Sequence, residues 1–308
     1  MTTVSDQDRA WLYSQFLSLS IRKHGTEWQQ FVTDLMYARH GGSFIQVDPT
    51  GYGDKGCDGW IDDLMLACYG ATSPNQDYVS RKIREDFDKA LTHWGAQMKT
   101  WAFVHNNAAG LPAMALHGIL ELRSSSQNNS VNIEVWTPQV LWDLCTEDVS
   151  RERLIRVIGS PPSEHPAGMS YLARCVESLA RTRRREDLRT VRPVPFGKIE
   201  VNEFGVEVSS LIRQFQIHTD HVRYYFSKAM PGEQAQVRET LRAKYDGFAA
   251  RLGNSDAVFH ALCDDLIEEA FRGSDLLDLE EQRSAAIMVV THFFEICEIF
   301  KAPAEERV

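Results

Sequence analysis

The sequence predicts an α/β region followed by an all-α region, and three observations predict this fold class. Hydrophobic residues make up 43% of the 308 residues and charged residues 25%, which is the composition of an ordinary globular protein. Before about residue 150, the apolar residues alternate between helical spacing and short strand-like runs. Beyond about residue 198, every segment keeps the helical period of 3.6 residues.

The first 41 residues predict two helices. A capping-box pattern begins at Ser5, and apolar residues at helical spacing follow it to about Lys23. A second helix, with Thr26 as its predicted cap, has one continuous apolar face and ends at Gly41.

The other elements of the α/β region are short apolar runs between glycine-rich or polar turns. They are strands near 44–47, 57–61, 64–69, 101–104 and 131–135, and helices near 80–98, 112–123 and 138–145. The resulting order, ααβββαβαβα, is typical of a mixed sheet flanked by helices.

Proline and arginine clusters predict where this region ends. A Ser-Pro-Pro segment begins at residue 160, and an Arg-rich stretch follows it. We therefore predict an α/β domain over 1–160, a basic connecting segment over 161–197 and a helical domain over 198–308. The predicted helices of the last domain are 206–229, 231–252, 254–272 and 278–300.

The charge of the chain is unevenly distributed. The net charge is −10, which argues against a general nucleic-acid coat protein. Residues 151–200 nevertheless carry 11 Lys and Arg against 6 Asp and Glu. This basic stripe either contacts phosphates or docks against the acidic helices of its own chain.

The sequence also indicates a cytoplasmic protein that does not enter a membrane. No apolar run is long enough to span a bilayer, and the N-terminus lacks the pattern of a secretory signal. The six cysteines are scattered without a CxxC pair, so we expect reduced thiols and no metal or disulfide framework.

The most informative run is Gly53-Asp54-Lys55-Gly56-Cys57-Asp58-Gly59-Trp60, which a helix bearing Glu27 precedes. Magnesium-dependent phosphodiester hydrolysis needs carboxylates held where a hard cation and a water can meet the phosphate. A strand that starts after a glycine-rich turn can fix an aspartate in this way. Asp54 is also a common turn residue, and that interpretation competes with a role as metal ligand.

A helix with Glu27, a strand and then Gly-x-Asp-Gly before another strand resembles the PD-(D/E)XK, Mrr-like restriction endonuclease family over about residues 20–150. The resemblance implies a restriction-endonuclease-like fold and a Mg²⁺-dependent DNA endonuclease. It also implies that Asp58, Glu27 and Asp54 are the metal ligands.

The sequence departs from this family at two positions. The family places a Glu or Gln nine residues after the aspartate and a Lys two residues further, but this chain has Ala67 and Tyr69 there. Some members carry the lysine on a neighbouring helix, where Lys82 and Lys89 lie in this sequence, and Lys55 in the glycine-rich turn is a third candidate. We predict that Lys82 is the catalytic lysine, because it adjoins the apolar stripe of that helix.

The helical region carries a second resemblance. Lys198-Ile199-Glu200-Val201-Asn202, Tyr224-Tyr225-Phe226, Tyr245-Asp246-Gly247-Phe248 and Phe293-Phe294-Glu295-Ile296-Cys297 resemble the C-terminal domains of effectors in ABC three-component systems, the Lamassu type among them. This implies a defence effector whose partners are an SMC-like ABC ATPase, a middle component and DNA. Self-association stays open, and so does a non-catalytic alternative in which the nuclease fold only binds DNA or assembles.

Overall fold

The computed structural model describes residues 4–48, 55–72, 75–125, 130–163, 167–181, 197–230, 232–296 and 299–302. The chain divides into two compact units. The first, here called the α/β unit, contains Leu19–Gly159. The second, the helical unit, contains Ser5–Ser18 and the residues from Ser160 onward. The boundary therefore lies inside the first helix, α1 (Asp6–Arg22), whereas the sequence predicted one α/β domain over 1–160.

The α/β unit has the predicted order of elements. After α1 come α2 (Gly25–His40), a 3₁₀ turn (Gly41–Ser43), β1 (Ile45–Gln46), β2 (Gly59–Ile61), β3 (Leu64–Tyr69), α3 (Gln76–Trp94), β4 (Thr100–His105), α4 (Ala113–Ser124), β5 (Asn132–Trp136), α5 (Pro138–Thr146) and α6 (Arg151–Ile158). The order ααβββαβαβα is confirmed, and α6 was not predicted.

The five strands form one mixed sheet in the order β1-β2-β3-β4-β5. The pairs β1–β2 and β2–β3 are antiparallel, whereas the pairs β3–β4 and β4–β5 are parallel. A two-residue turn joins the antiparallel strands β2 and β3, and the helices α3 and α4 supply the crossovers that parallel pairing requires. The predicted α/β class with a mixed sheet is thus confirmed.

Both faces of the central strands are buried. On one face, Met65, Trp101 and Phe103 pack with Ile83 and Phe87 of α3. The residues that alternate with them along the strands, Leu66, Ala102 and Val104, are also almost fully buried. The indole N–H of Trp28, on α2, donates to the Val104 carbonyl at 3.3 Å, so α2 is tied to β4.

Two local predictions in this unit are wrong. The N-cap of α2 is His24, without a capping hydrogen bond from its side chain, so Thr26 lies inside the helix. α3 begins at Gln76, about one turn before the predicted start near Ser80, because the Asn75 side chain accepts a hydrogen bond from the Tyr78 N–H.

The helical unit consists of α7 (Met169–Arg181), α8 (Lys198–Val201), α9 (Val206–Gln216), α10 (Thr219–Lys228), α11 (Glu233–Leu252), α12 (Ser255–Phe271) and α13 (Leu279–Glu295), with the first part of α1. The all-α C-terminal region is confirmed. The single helix predicted over 206–229 is instead two helices, α9 and α10.

α13 is the central helix of this unit, since every residue from Gln282 to Glu295 is buried. α7 packs against α11, α12 and α13. Its buried residues follow the spacing i, i+3, i+4, i+7: Leu172, Cys175, Val176 and Leu179. The segment predicted to be a connection over 161–197 therefore contributes a core helix. No helix in the described ranges is long and apolar enough to span a bilayer.

Candidate active site

A cleft of about 410 Å³ opens at the edge of the sheet where β2 begins and β3 ends. The N-terminal turns of α2 and α3 complete its walls. Its polar side chains come from four segments of the α/β unit; they are Thr26, Gln29, Asp58, Tyr69, Tyr78, Lys82 and Asp86. Two of the predicted site residues, Asp58 and Lys82, thus lie in one cleft.

Asp58 is held by hydrogen bonds from backbone and side chain. Its backbone N–H donates to the Leu66 carbonyl at 2.8 Å, which extends the β2–β3 ladder by one residue. Its carboxylate accepts from the Gln29 amide at 2.6 Å and from the Cys68 backbone N–H at 2.5 Å. The carboxylate direction is therefore fixed, as the sequence argument requires, although Asp58 immediately precedes the strand instead of lying within it.

The glycines around Asp58 are required by close packing within the protein. Gly56 has a φ of +78°, and a Cβ there would lie 2.4 Å from the Asp86 carbonyl oxygen on α3. A Cβ on Gly59 would lie 2.4 Å from the Phe44 ring. These two residues let the Asp58 segment pass between α3 and the 3₁₀ turn region.

Lys82 forms an ion pair inside the cleft. Its Nζ lies 2.6 Å from the carboxylate of Asp86, whose side chain is only 7% exposed. Lys89 lies 4.0 Å from the same carboxylate, but its side chain is more than half exposed and does not line the cleft. Tyr78, Lys82 and Asp86 are four residues apart, so one face of α3 presents all three to the cleft.

Of the other predicted ligands, Glu27 is not brought to Asp58. Glu27 is exposed and is not among the residues that line the cleft. Gln29 faces Asp58 from the same helix, and two residues correspond to a rotation of about 200°, so Glu27 points away from the cleft. At the third position of α2, its charge instead complements the helix dipole. Asp54 lies outside the described residues.

The two positions that depart from the nuclease family have different environments. Ala67 is buried against α3 in the core of the unit. Tyr69 lines the cleft, and its ring stacks on Phe103 with centroids 5.8 Å apart and planes 23° apart. The place of the family lysine is therefore occupied by an aromatic ring, and the ammonium group of the cleft comes from α3.

The donor set of the cleft limits which metal could bind. In the described ranges, no cluster of three or more His, Cys, Asp or Glu residues could hold a metal ion. Asp58 and Asp86 supply two carboxylates to one cleft. Burial, together with the neighbouring Asp58, raises the pKa of the Cys68 thiol well above its usual range, so Cys68 stays protonated. Mg²⁺ commonly uses one or two carboxylates and takes its other ligands from water and substrate phosphate, so two carboxylates match its usual demand on a protein, although Lys82 pairs with Asp86 in this structure.

Sequence reasoning missed Gln29, Tyr78 and Asp86. The spacing i, i+4 from Lys82 to Asp86 was visible in the sequence and is a signal for an ion pair on a helix. Gln29 had no such signal, because its contact with Asp58 depends on how α2 packs beside the sheet.

Comparison with known families concerns the helical unit. Residues 170–301 match the family model described as C-terminal domain 10 of the ABC-three component (ABC-3C) systems. The matched range contains nearly all of α7–α13, and it begins earlier than the resemblance seen from residue 198. The C-terminal region is thus similar to a C-terminal domain of these systems. No curated protein and no solved structure shows significant similarity to the chain. The nuclease resemblance of residues before 170 stays a prediction.

Proposed function

We propose that the protein is the effector subunit of a bacterial defence complex of the ABC three-component type, and that its α/β unit is a Mg²⁺-dependent DNA endonuclease. The observation that carries the proposal is the cleft that brings Asp58, Lys82 and Asp86 together. The family match of the helical region supports assembly with other components of such a system. The partners in this complex would be an SMC-like ABC ATPase and a middle component, as in Lamassu-type systems.

The cleft residues have distinct proposed roles. Asp58 and Asp86 would hold Mg²⁺, which polarises a phosphoryl oxygen and lowers the pKa of a bound water. Gln29 and the Cys68 N–H keep the Asp58 carboxylate in one orientation. The Lys82 ammonium, now paired with Asp86, stabilises the negative charge that develops on the phosphate. Glu27 has no part in this revised site.

The charge of the chain fits an effector that depends on its partners. A net charge of −10 makes unassisted binding to duplex DNA weak and sensitive to salt. An ATPase that engages DNA would bring the substrate to the cleft. The basic segment over 151–200 could then contact phosphates or its own acidic helices, as the sequence predicts.

The test is cleavage of supercoiled plasmid and of single-stranded circular DNA by the full chain in Mg²⁺, with and without the other components. Asp58→Asn should abolish cleavage, because an amide binds Mg²⁺ far more weakly than a carboxylate. Lys82→Ala should reduce the rate by about 10²-fold, the scale for loss of one charge-stabilising group. Lys89→Ala is the matched control, since Lys89 lies on the same helix outside the cleft, and it should cleave at the parent rate. Equal rates for Lys82→Ala and the parent would contradict the assigned role.

The second candidate is a non-catalytic subunit whose α/β unit binds DNA or assembles the complex. Ala67 and Tyr69 favour it, because they replace the metal-ligand and lysine side chains of the nuclease family, and Glu27 lies away from Asp58. This candidate predicts that the assembled complex cleaves neither plasmid nor single-stranded DNA and that Asp58→Asn retains full defence in cells. Mg²⁺-dependent cleavage that Asp58→Asn abolishes would eliminate it.

A further inference from the structure

Two aromatic rings form one wall of the candidate active site. Tyr69 and Tyr78 both line the cleft, with ring centroids 6.2 Å apart, and the Tyr69 ring is supported from behind by Phe103. Tyr78 is 46% exposed, so its ring is accessible to a ligand in the cleft. The Asn75 cap holds the backbone of Tyr78 in the first turn of α3.

Positive charge lies beside these rings. The Arg81 guanidinium lies 5.5 Å from the centre of the Tyr78 ring, and its side chain is 65% exposed. Lys82 follows within the cleft. Both cations also form ion pairs within α3, Arg81 with Glu85 at 3.6 Å and Lys82 with Asp86 at 2.6 Å. Aromatic rings next to cations are a surface on which unpaired bases stack while their phosphates meet the cations.

The cleft also favours an unpaired base by its size. A volume of about 410 Å³ is that of a small-molecule site, large enough for one nucleotide but not for a duplex. In a duplex the faces of the bases are covered by their neighbours, and exposing one costs a few kcal/mol. Stacking on tyrosine does not depend on net charge, so it suits a chain of charge −10 better than phosphate contacts alone do.

We propose that the Tyr69–Tyr78 wall stacks an unpaired base, and hence that the cleft takes single-stranded nucleic acid. The inference names the substrate class of the function proposed above and rests on it for the reaction. The binding step itself requires neither metal nor cleavage, so the two proposals can fail separately.

The experiment measures fluorescence anisotropy of a labelled oligothymidylate with the full chain in divalent-free buffer at physiological salt. The parent should bind the single strand more tightly than a duplex of equal length and more tightly than thymidine monophosphate. Tyr78→Ala should weaken single-strand binding about tenfold or more, the scale for loss of one stacked base, while Tyr78→Phe should bind as the parent does. Tyr78→Leu keeps an apolar side chain without a ring, and it should be as weak as Tyr78→Ala.

The matched control is Tyr224→Ala. Tyr224 is also an exposed tyrosine with a cation nearby, since the Lys228 ammonium lies 5.8 Å from its ring centre, but it belongs to α10 of the helical unit. This variant should bind as the parent does. Absence of single-strand binding by the parent, duplex or mononucleotide binding of equal strength, or unchanged binding by Tyr78→Leu would overturn the inference. Tyr78-dependent binding without Mg²⁺-dependent cleavage would support it while contradicting the nuclease.

Discussion

The two units of the chain use the same residue types for different purposes, and lysine shows the difference. In the α/β unit, Lys82 pairs with a carboxylate at the wall of an open cleft. In the helical unit, Lys198 is 1% exposed and donates to the backbone carbonyls of Phe294 and Ile299 at 2.6 and 2.8 Å. The first arrangement leaves the ammonium near solvent, whereas the second uses it to satisfy carbonyls at the end of α13. Burial and partner type therefore separate a candidate site lysine from a structural one.

Glycine gives the sharpest contrast between the units and the largest expected effect on stability. Gly56→Ala should lower the free energy of unfolding by about 3–5 kcal/mol, because the new Cβ would both strain the backbone and overlap the Asp86 carbonyl. Gly253→Ala is the control in the helical unit: its φ is also positive, +61°, but no atom lies within 4 Å of the added Cβ. It should cost only about 1–2 kcal/mol. Urea denaturation of both variants measures the difference, and equal losses would show that packing at Gly56 is unimportant.

Both units also contain a buried histidine with a lowered pKa. Burial lowers the pKa of His105 in β4 and of His292 in α13 to about 4, and Arg223 adds to the effect on His292. Both ring nitrogens of His292 lack a hydrogen-bond partner among the described residues. The folded state holds such a histidine neutral, whereas the unfolded chain protonates it below a pKa of about 6.5. Its contribution to the free energy of unfolding is therefore fully present above about pH 6.5 and is lost as the pH falls towards 4.

His292→Phe should abolish the loss of stability at low pH that His292 causes, because phenylalanine keeps the aromatic packing against Phe226 and cannot take up a proton. Between about pH 7 and pH 4, the stability of the parent should therefore fall by about 3 kcal/mol more than that of the variant. Urea denaturation over this pH range measures the difference. Parallel pH profiles for the two proteins would contradict the buried, neutral state of His292.

Because Lys198 has a structural role, we expect its substitution to lower the free energy of unfolding, but by less than Gly56→Ala does. Lys198→Met keeps the apolar stem but leaves two buried carbonyls without this donor, so it should cost about 2 kcal/mol. Lys228→Met is the control, because Lys228 is exposed on α10, and it should change stability by less than about 0.5 kcal/mol. Thermal unfolding of the two variants measures this. A loss for Lys198→Met as small as that of the control would mean that its hydrogen bonds contribute little.

The sequence predicted most of the fold because its signals are local. β3 matches the predicted range of 64–69, since an apolar run there lies between an Asp-Asp turn and Gly70. The split between α9 and α10 was missed, because helical periodicity continues through Ile217 and neither glycine nor proline marks the break.

The candidate site was predicted less completely, because it depends on contacts between distant segments. Asp58 was predicted from its turn and strand pattern, and Lys82 from its place beside the apolar stripe of α3; both line the cleft. Gln29 meets Asp58 only because α2 packs beside β3, and the burial of Asp86 depends on the passage of Gly56 across α3. Glu27 was chosen by family pattern, and the rotation of α2 places Gln29 in the cleft instead.

The helix caps give the smallest effect and test whether stability and binding can be separated. Asn75 caps α3 by accepting from the Tyr78 N–H at 3.1 Å, and Asn254 caps α12 by accepting from the Ala257 N–H at 2.9 Å. The two caps are chemically equal, so Asn75→Ala and Asn254→Ala should each cost about 1 kcal/mol in thermal or urea unfolding.

Only the first cap supports cleft residues. Fraying of the first turn of α3 would displace Tyr78 and, one turn later, Lys82, whereas fraying of α12 leaves the cleft unchanged. Asn75→Ala should therefore weaken binding of the labelled oligothymidylate by about threefold to tenfold, the effect of about 1 kcal/mol of lost ordering, while Asn254→Ala should bind as the parent does. Asn75→Asp, which keeps the capping acceptor, should restore the stability of α3. Equal binding by both alanine variants would mean that the position of Tyr78 does not depend on its cap, and that the rigidity of the aromatic wall comes from Tyr69 and Phe103 alone.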